Sequence, residues 1–352
     1  MLKKQTNTNC QHFPECGGCN FLDLSPESYQ KAKQDLIKDE HPDINWIWVG
    51  PHSRRKVTLQ ISKKNAVGFF GAKSNDIVEV NSCFVAEKEI SDLILPLKNL
   101  LLRQGQNLFS QAVITLFDNG LDLVLKTRKE LSFVQTQKLL EFAKKHNLNI
   151  SYLFEKHLTP ILLLRKNQIF YDGFKVDLEP NIFIQATKLG LDVISHFIRK
   201  YLEENKKIKN VVDIFSGFGS YSFAIQDLVT SVTGYEGDKK MVDLMNKNII
   251  GNGFKKKMTA QNHDLFFTPI NRRDLNKFDL AVINPPRNGA TPQVNQLVKS
   301  DIKSIIYVSC NPKTFKIDSR ILTDEGFKIK QIIALDQFYS TNHLELLAIF
   351  EK

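Results

Sequence analysis

The 352-residue sequence has no apolar run approaching the roughly 18 residues that a membrane-spanning helix needs. Its best candidate, Leu93 to Leu102, is broken by Lys98. The opening Met1-Leu2-Lys3-Lys4-Gln5-Thr6-Asn7 has no apolar core and is not expected to act as a secretory signal. No internal repeat or low-complexity tract is present, which excludes solenoid arrays. Cysteine is scarce and odd in number, at five. That count argues against a disulfide scaffold and for reduced thiols, so the expected compartment is the cytoplasm. Acidic residues are outnumbered 38 to 48 by Lys and Arg, leaving a net charge of +10. Such an excess favours a polyanionic partner, either nucleic acid or a phosphorylated substrate. The basic clusters Arg54-Arg55-Lys56, Lys206-Lys207, Lys255-Lys256-Lys257 and Arg272-Arg273 would each pass singly for a solvated surface.

What cysteine there is divides four and one. Cys10, Cys16 and Cys19 crowd the N-terminus and Cys83 follows after a long gap, while Cys310 stands alone. Four sulfurs suit either zinc or an iron–sulfur cluster, and their spacing leaves both open. Zinc ribbons use two close pairs, which Cys83 does not complete. The Cx3Cx2C spacing of radical enzymes is absent.

The first half of the chain reads as mixed α+β. Val57 to Ile61, Val67 to Phe70 and Ile77 to Val80 are short strands separated by polar and glycine turns, an antiparallel meander. A helix is expected from about Ala86 to Leu102. Asp118-Asn119-Gly120 marks a hairpin between Val113–Phe117 and Leu121–Lys126, and helical spacing resumes from Leu131 to Lys145. From about Thr187 the rhythm alternates strand and helix through Val211–Phe215, Ser231–Tyr235, Asp279–Ile283, Ser304–Val308, Lys328–Leu335 and Leu346–Phe350. That pattern implies a doubly wound parallel sheet with ligands at the C-terminal ends of its strands.

Three strand ends carry cofactor-binding signals. Asp213-Ile214-Phe215-Ser216-Gly217-Phe218-Gly219 puts two glycines where a helix begins, letting backbone approach a ligand. The dinucleotide pattern is incomplete, since position 222 is Ser. Glu236 closes the next strand, where a carboxylate binds ribose hydroxyls. Asn284-Pro285-Pro286-Arg287 closes a third, its prolines stiffening the turn. Together the three ends resemble a class I S-adenosylmethionine methyltransferase. Cys310, in Tyr307-Val308-Ser309-Cys310-Asn311-Pro312, ends a further strand on the same edge and is a candidate nucleophile. Residues 341, 343 and 345 would share one face of a strand, so His343 and Glu345 are expected to project together.

Asn284-Pro285-Pro286-Arg287, Ser309-Cys310-Asn311-Pro312-Lys313-Thr314 and His343-Leu344-Glu345, in this order, resemble the RNA uracil-C5 methyltransferase family. Phe183-Ile184-Gln185, the interval from Phe215 to Glu236, and Cys10-x5-Cys16-Gly-Gly-Cys19 with a distant Cys83 match as well. The resemblance covers nearly the whole chain. It implies that Cys310 adds to C6 of a uracil, that C5 then takes a methyl group from S-adenosylmethionine, and that Glu345 removes the C5 proton. It implies that Gln185, Phe215, Gly217, Gly219, Glu236 and Asn284 bind the cofactor. It also favours a [4Fe-4S] cluster over zinc on Cys10, Cys16, Cys19 and Cys83.

The expected fold is therefore α/β. A class I Rossmann-like methyltransferase domain (176–352) follows an N-terminal α+β domain (1–175) that carries the cluster and contacts RNA. The expected substrate is a uridine in a loop of 23S ribosomal RNA, because transfer-RNA members generally lack the cysteine cluster. A ribosomal type with an extra N-terminal β-barrel is disfavoured, since nine residues precede Cys10. The chain is expected to act as a monomer and away from membranes. The competing readings are a transfer-RNA uracil methyltransferase, an amino-group methyltransferase using Asn284, and a catalytically silent RNA-binding protein. The sequence departs from the family at Asn284, where aspartate is usual, at Ser216, usually cysteine, and at Thr187, commonly asparagine.

Overall fold

The computed structural model describes residues 10–37 and 44–352; Met1 to Asn7 lie outside them. The larger of two main sheets holds eight strands. Their order is Asn45–Trp48, Lys328–Asp336, Glu345–Glu351, Ser304–Ser309, Leu280–Ile283, Asn210–Ile214, Ser231–Glu236 and Met258–Asn262. All neighbours pair in parallel except Glu345–Glu351, which runs antiparallel to both strands beside it. The expected parallel sheet is thus mixed. Chain length dictates this, because only residues 337–344 join Lys328–Asp336 to Glu345–Glu351. A parallel return needs a crossover of about a dozen residues or more.

The central strands are apolar throughout because both faces are covered. Val211, Val282, Ile306 and Leu347 point into one core, and Val212, Ile283, Ile305 and Leu346 into another. On the first face lies helix Lys188–Glu204, whose buried Leu191, Ile194, Phe197, Ile198, Tyr201 and Leu202 recur at helical spacing. Thr187 caps it by accepting a hydrogen bond from the Gly190 amide at 2.8 Å, a contact worth about 1 kcal/mol. Threonine does here what an asparagine would do, which accounts for that departure.

The second sheet orders seven strands as Ile77–Glu79, Val67–Phe70, Lys56–Ile61, Phe109–Phe117, Gly120–Thr127, Asn149–Phe154 and His157–Leu162. The meander and the hairpin form as the turn residues direct, with Phe117 opposite Gly120. Helices Lys88–Leu102 and Phe133–Lys145 supply its core with Ile90, Leu97, Leu101, Leu139 and Phe142. A hairpin, Asn167–Tyr171 with Phe174–Leu178, packs Ile169 and Val176 into the same core as Ile194 and Tyr221.

The N-terminal segment joins the eight-stranded sheet. Asn45–Trp48 extends its edge, and helix Pro26–Gln34 inserts Lys33 against Asp336, with Nζ and Oδ1 2.6 Å apart and both side chains fully buried. Tyr29 donates to the other Asp336 oxygen at 2.5 Å. Removing one partner of such a buried pair typically costs about 3–5 kcal/mol, because the other charge is stranded.

Candidate active site

Register alone gathers the candidate residues. Asp213 pairs with Val282, Ile283 with Tyr307 and Ser309 with Leu346. Phe215, Asn284 and Cys310 therefore leave their strands at one edge. Glu345, because its strand runs the other way, begins there. Cys310 and Glu345 are the next residues beyond the Ser309–Leu346 pair on their two strands.

The first strand end is built to stay open. Phe215 (φ 64°), Gly217 (φ 57°) and Gly219 (φ 89°) all adopt left-handed backbone, which is unusual for phenylalanine and marks a constrained site. A Cβ placed on Gly217 would meet nothing within 4 Å, whereas one on Gly219 would strike the Met245 sulfur at 2.8 Å. Glu236 ends its strand with one carboxylate oxygen accepting from the Gly217 amide at 2.9 Å and the other from the Asp238 amide at 2.8 Å. This fixes the carboxylate beside the glycine turn. Beneath the turn Ser222 donates through its hydroxyl to buried Asp213 at 2.6 Å, and burial pushes that carboxyl up to about 6.

Two residues not singled out in the sequence complete the site. The Tyr221 hydroxyl accepts from Gln185 Nε2 at 2.7 Å and from Asn284 Nδ2 at 3.3 Å. Gln337 Nε2 donates both to Gln185 Oε1 at 3.2 Å and to Glu345 Oε2 at 2.7 Å. A buried chain of amides and one phenol thus runs from Asn284 to Glu345. Asn284 donates to Tyr221, where an ionised aspartate would instead accept the phenol proton. Gln337 fits here because position 190 is glycine: a Cβ there would lie 2.2 Å from its Oε1. The available sequence signal was position, since Gln337 directly follows a strand on the active edge and Tyr221 lies in the helix after the glycine turn.

Glu345 is buried, and desolvation raises its carboxyl to about 7 despite the Gln337 hydrogen bond. Burial likewise raises the Cys310 thiol, and the Glu345 carboxylate raises it further, while the Arg287 guanidinium and the cysteine's own amide oppose them. Arg287 is held by its carbonyl, which accepts from Asn311 Nδ2 at 2.8 Å. His343 corrects the alternation expected from the sequence. The last strand begins only at Glu345, so His343 sits in the preceding loop, with its Nε2 3.5 Å from Arg287 Nη2. Burial and the cations Arg287, Lys33 and Arg54 lower its pKa.

A sequence model described as tRNA (uracil-5-)-methyltransferase matches residues 67–352. The chain belongs to that family. Over 367 residues it is 30% identical to the 23S rRNA (uracil(1939)-C(5))-methyltransferase RlmD of Shewanella piezotolerans, covering 97% of this chain and 81% of the relative. It is 29% identical over 355 residues to an uncharacterized RNA methyltransferase of Mesorhizobium japonicum, covering 97% and 84%. Its fold matches the Pyrococcus abyssi tRNA (uracil-54, C5)-methyltransferase in complex with S-adenosyl-L-homocysteine. That match has a TM-score of 0.72 at 19% identity and covers 96% of this chain and 86% of that one.

This uracil-5-methyltransferase carries its remaining cysteines far from Cys310 in sequence but in one place. Cys10, Cys16, Cys19 and Cys83 line a single cavity of about 310 Å³ with Phe13, Leu22, Val57, Phe69 and Val85. Burial raises the thiols of Cys16, Cys83 and Cys19, the last to about 12, and each feels other cysteines of the group. Among the described residues, no three His, Cys, Asp or Glu side chains are arranged to hold a single metal ion. No described helix is long and apolar enough to cross a membrane.

Proposed function

We propose that this methyltransferase modifies C5 of a uridine in 23S ribosomal RNA through a covalent adduct on Cys310. The convergence of Cys310 and Glu345 at the edge that carries the glycine turn is the observation supporting this reading. Cys310 adds through sulfur to C6 of the uracil, and the C5–C6 electron pair moves onto C5 as an enolate. When bound, S-adenosylmethionine would supply the methyl group to C5, its sulfur keeping the bonding pair and leaving as the neutral thioether S-adenosylhomocysteine. Glu345 then removes the C5 proton, the C5–C6 double bond re-forms, and the sulfur–C6 bond breaks to return the thiolate. Gln185, Phe215, Gly217, Gly219, Glu236 and Asn284 hold the cofactor in this reading. Tyr221 orients Gln185 and Asn284. The target base leaves its stack to reach Cys310. The net charge of +10 suits an RNA partner. The seven-stranded sheet of the 1–175 portion contacts RNA, and 176–352 carries the chemistry.

The test is transfer of labelled methyl from S-adenosylmethionine to transcripts of 23S ribosomal RNA and of transfer RNA. One uridine of the ribosomal transcript is expected to gain the label at C5. Labelling of transfer RNA alone would move the substrate. Binding without transfer to any uridine would mark a silent RNA-binding protein and overturn the reading.

Cys10, Cys16, Cys19 and Cys83 would hold a [4Fe-4S] cluster, which supplies a cross-link rather than an electron, since uracil methylation needs none. Four sulfurs around one largely apolar cavity fit such a group. Protein purified without oxygen is expected to contain about four irons and four sulfides per chain. Stoichiometric zinc would replace this assignment.

A further inference from the structure

The loop 337–344 delivers Glu345 to the active edge, yet much of what fixes it comes from the N-terminal segment. The amides of Asn20 and Phe21 both donate to the Ser340 carbonyl, at 2.7 and 3.3 Å, and Asn20 Oδ1 accepts from the Asn342 amide at 3.3 Å. The Tyr29 hydroxyl accepts from the Ser340 amide at 3.0 Å while donating to Asp336 at 2.5 Å. Lys33 Nζ donates to the carbonyls of Phe338 and His343, at 3.1 and 2.7 Å. Ser340 sits at φ 59°, a left-handed conformation that serine adopts only when its surroundings impose it. Tyr29 and Tyr339 pack with ring centroids 5.4 Å apart.

We propose that residues 19–33 form a clamp that positions Glu345 for proton removal, so that the N-terminal segment governs the second half of the reaction and leaves Cys310 attack alone. The asymmetry follows from where the contacts fall. Cys310 is set by Ser304–Ser309, the Asn311 turn and the Arg287 loop, which meets the clamped loop at the long Arg287–His343 side-chain contact of 3.5 Å. Glu345 opens the strand Glu345–Glu351, opposite Leu335, and the loop that feeds it is tied at Phe338, Ser340, Asn342 and His343 to Asn20, Phe21, Tyr29 and Lys33. Because Cys19 lies in both the clamp and the cysteine cavity, an order imposed on that cavity reaches the same loop. Misplacing a base by about 1 Å costs up to roughly 10²-fold in rate. Asn20, Tyr29 and Lys33 are positioning residues in this scheme.

The proposal rests on Glu345 being the base, so its test measures the two half-reactions separately. RNA containing 5-fluorouridine traps the methylated adduct without proton removal and reports attack and methyl transfer. RNA tritiated at uridine C5 reports proton removal by release of the label. Tyr29→Phe and Asn20→Ala are the test variants, because Lys33→Met strands a buried carboxylate and can simply fail to fold. Each is expected to form the 5-fluorouridine adduct within about two-fold of the parent rate. Tritium release should fall about ten-fold or more, with methylated uridine RNA accumulating on the protein. Equal losses in both measurements, or no loss in tritium release, would overturn the clamp. Glu345→Gln is run alongside: if it releases tritium at the parent rate, the base assignment fails and the clamp falls with it. If it stalls while Tyr29→Phe and Asn20→Ala do not, the clamp alone is refuted.

Discussion

Cys310→Ala is expected to bind RNA and cofactor as the parent does and to transfer no methyl group, a loss of roughly 10⁵-fold or more. Uracil C5 is a poor nucleophile until C6 carries an electron-donating substituent, so no other residue at this edge can substitute for the sulfur. Serine is expected to fail as well, because its hydroxyl is far less ionised than a thiol. The fold should tolerate both changes, since Cys310 lies in a partly exposed bend beyond the last residue of its strand. The measurement is formation of a denaturation-resistant complex with 5-fluorouridine RNA, followed by gel shift. An adduct persisting in Cys310→Ala would place the nucleophile elsewhere.

Glu345→Gln should give the opposite failure, a complex that forms and does not resolve. Glutamine keeps the shape and can still meet the Gln337 amide through its oxygen, yet it accepts no proton. Methylated RNA should remain attached to Cys310, and turnover should fall by about 10²–10⁴-fold, the range of a lost general base. The pH dependence has a definite sign. A base must be ionised, and burial places the Glu345 carboxyl at about 7. Turnover is therefore expected to rise with pH through neutrality, about ten-fold per unit below it, and less steeply above. The groups facing Glu345 do not reverse this. The thiol of Cys310, raised by burial and by Glu345 itself, gains thiolate as pH rises, and Tyr221 stays protonated, its pKa raised far above 10 by burial. In Glu345→Gln the residual rate should lose the step near 7. Rapid resolution in this variant, or an unchanged profile, would exclude the carboxylate as base.

Much of this site was legible because strand ends are legible. Apolar runs such as Leu280–Ile283 and Ser304–Ser309 declare buried strands, and whatever follows them falls on one edge of a parallel sheet. The placement of Phe215, Glu236, Asn284 and Cys310 at that edge needed nothing more, while their roles rest on the resemblance as well. Gln185 precedes a helix rather than following a strand, and it came from the resemblance alone. The antiparallel turn of the last strand hid in the brevity of 337–344, and the alternation assumed for His343 failed because that residue stands in the loop. Met258–Asn262, the strands between Asn149 and Leu178 and the six-residue helix Ser220–Ile225 gave weak periodicity over short spans. Gln337 and Tyr221 were invisible for a different reason. Their roles arise from partners 152 and 36 positions away in Gln185, contacts that only the folded chain creates.

Gln337 makes the two ends of the site thermodynamically answerable to each other. Its single nitrogen serves Gln185 on one side and Glu345 on the other, and the missing side chain of Gly190 leaves the space its oxygen fills. A ligand that draws Gln185 away or nearer changes how well that nitrogen stabilises the Glu345 charge. By reciprocity, protonating Glu345 must change the affinity at Gln185 by the same free energy. Each unit by which occupancy moves the carboxyl corresponds to about 1.4 kcal/mol of pH-dependent affinity.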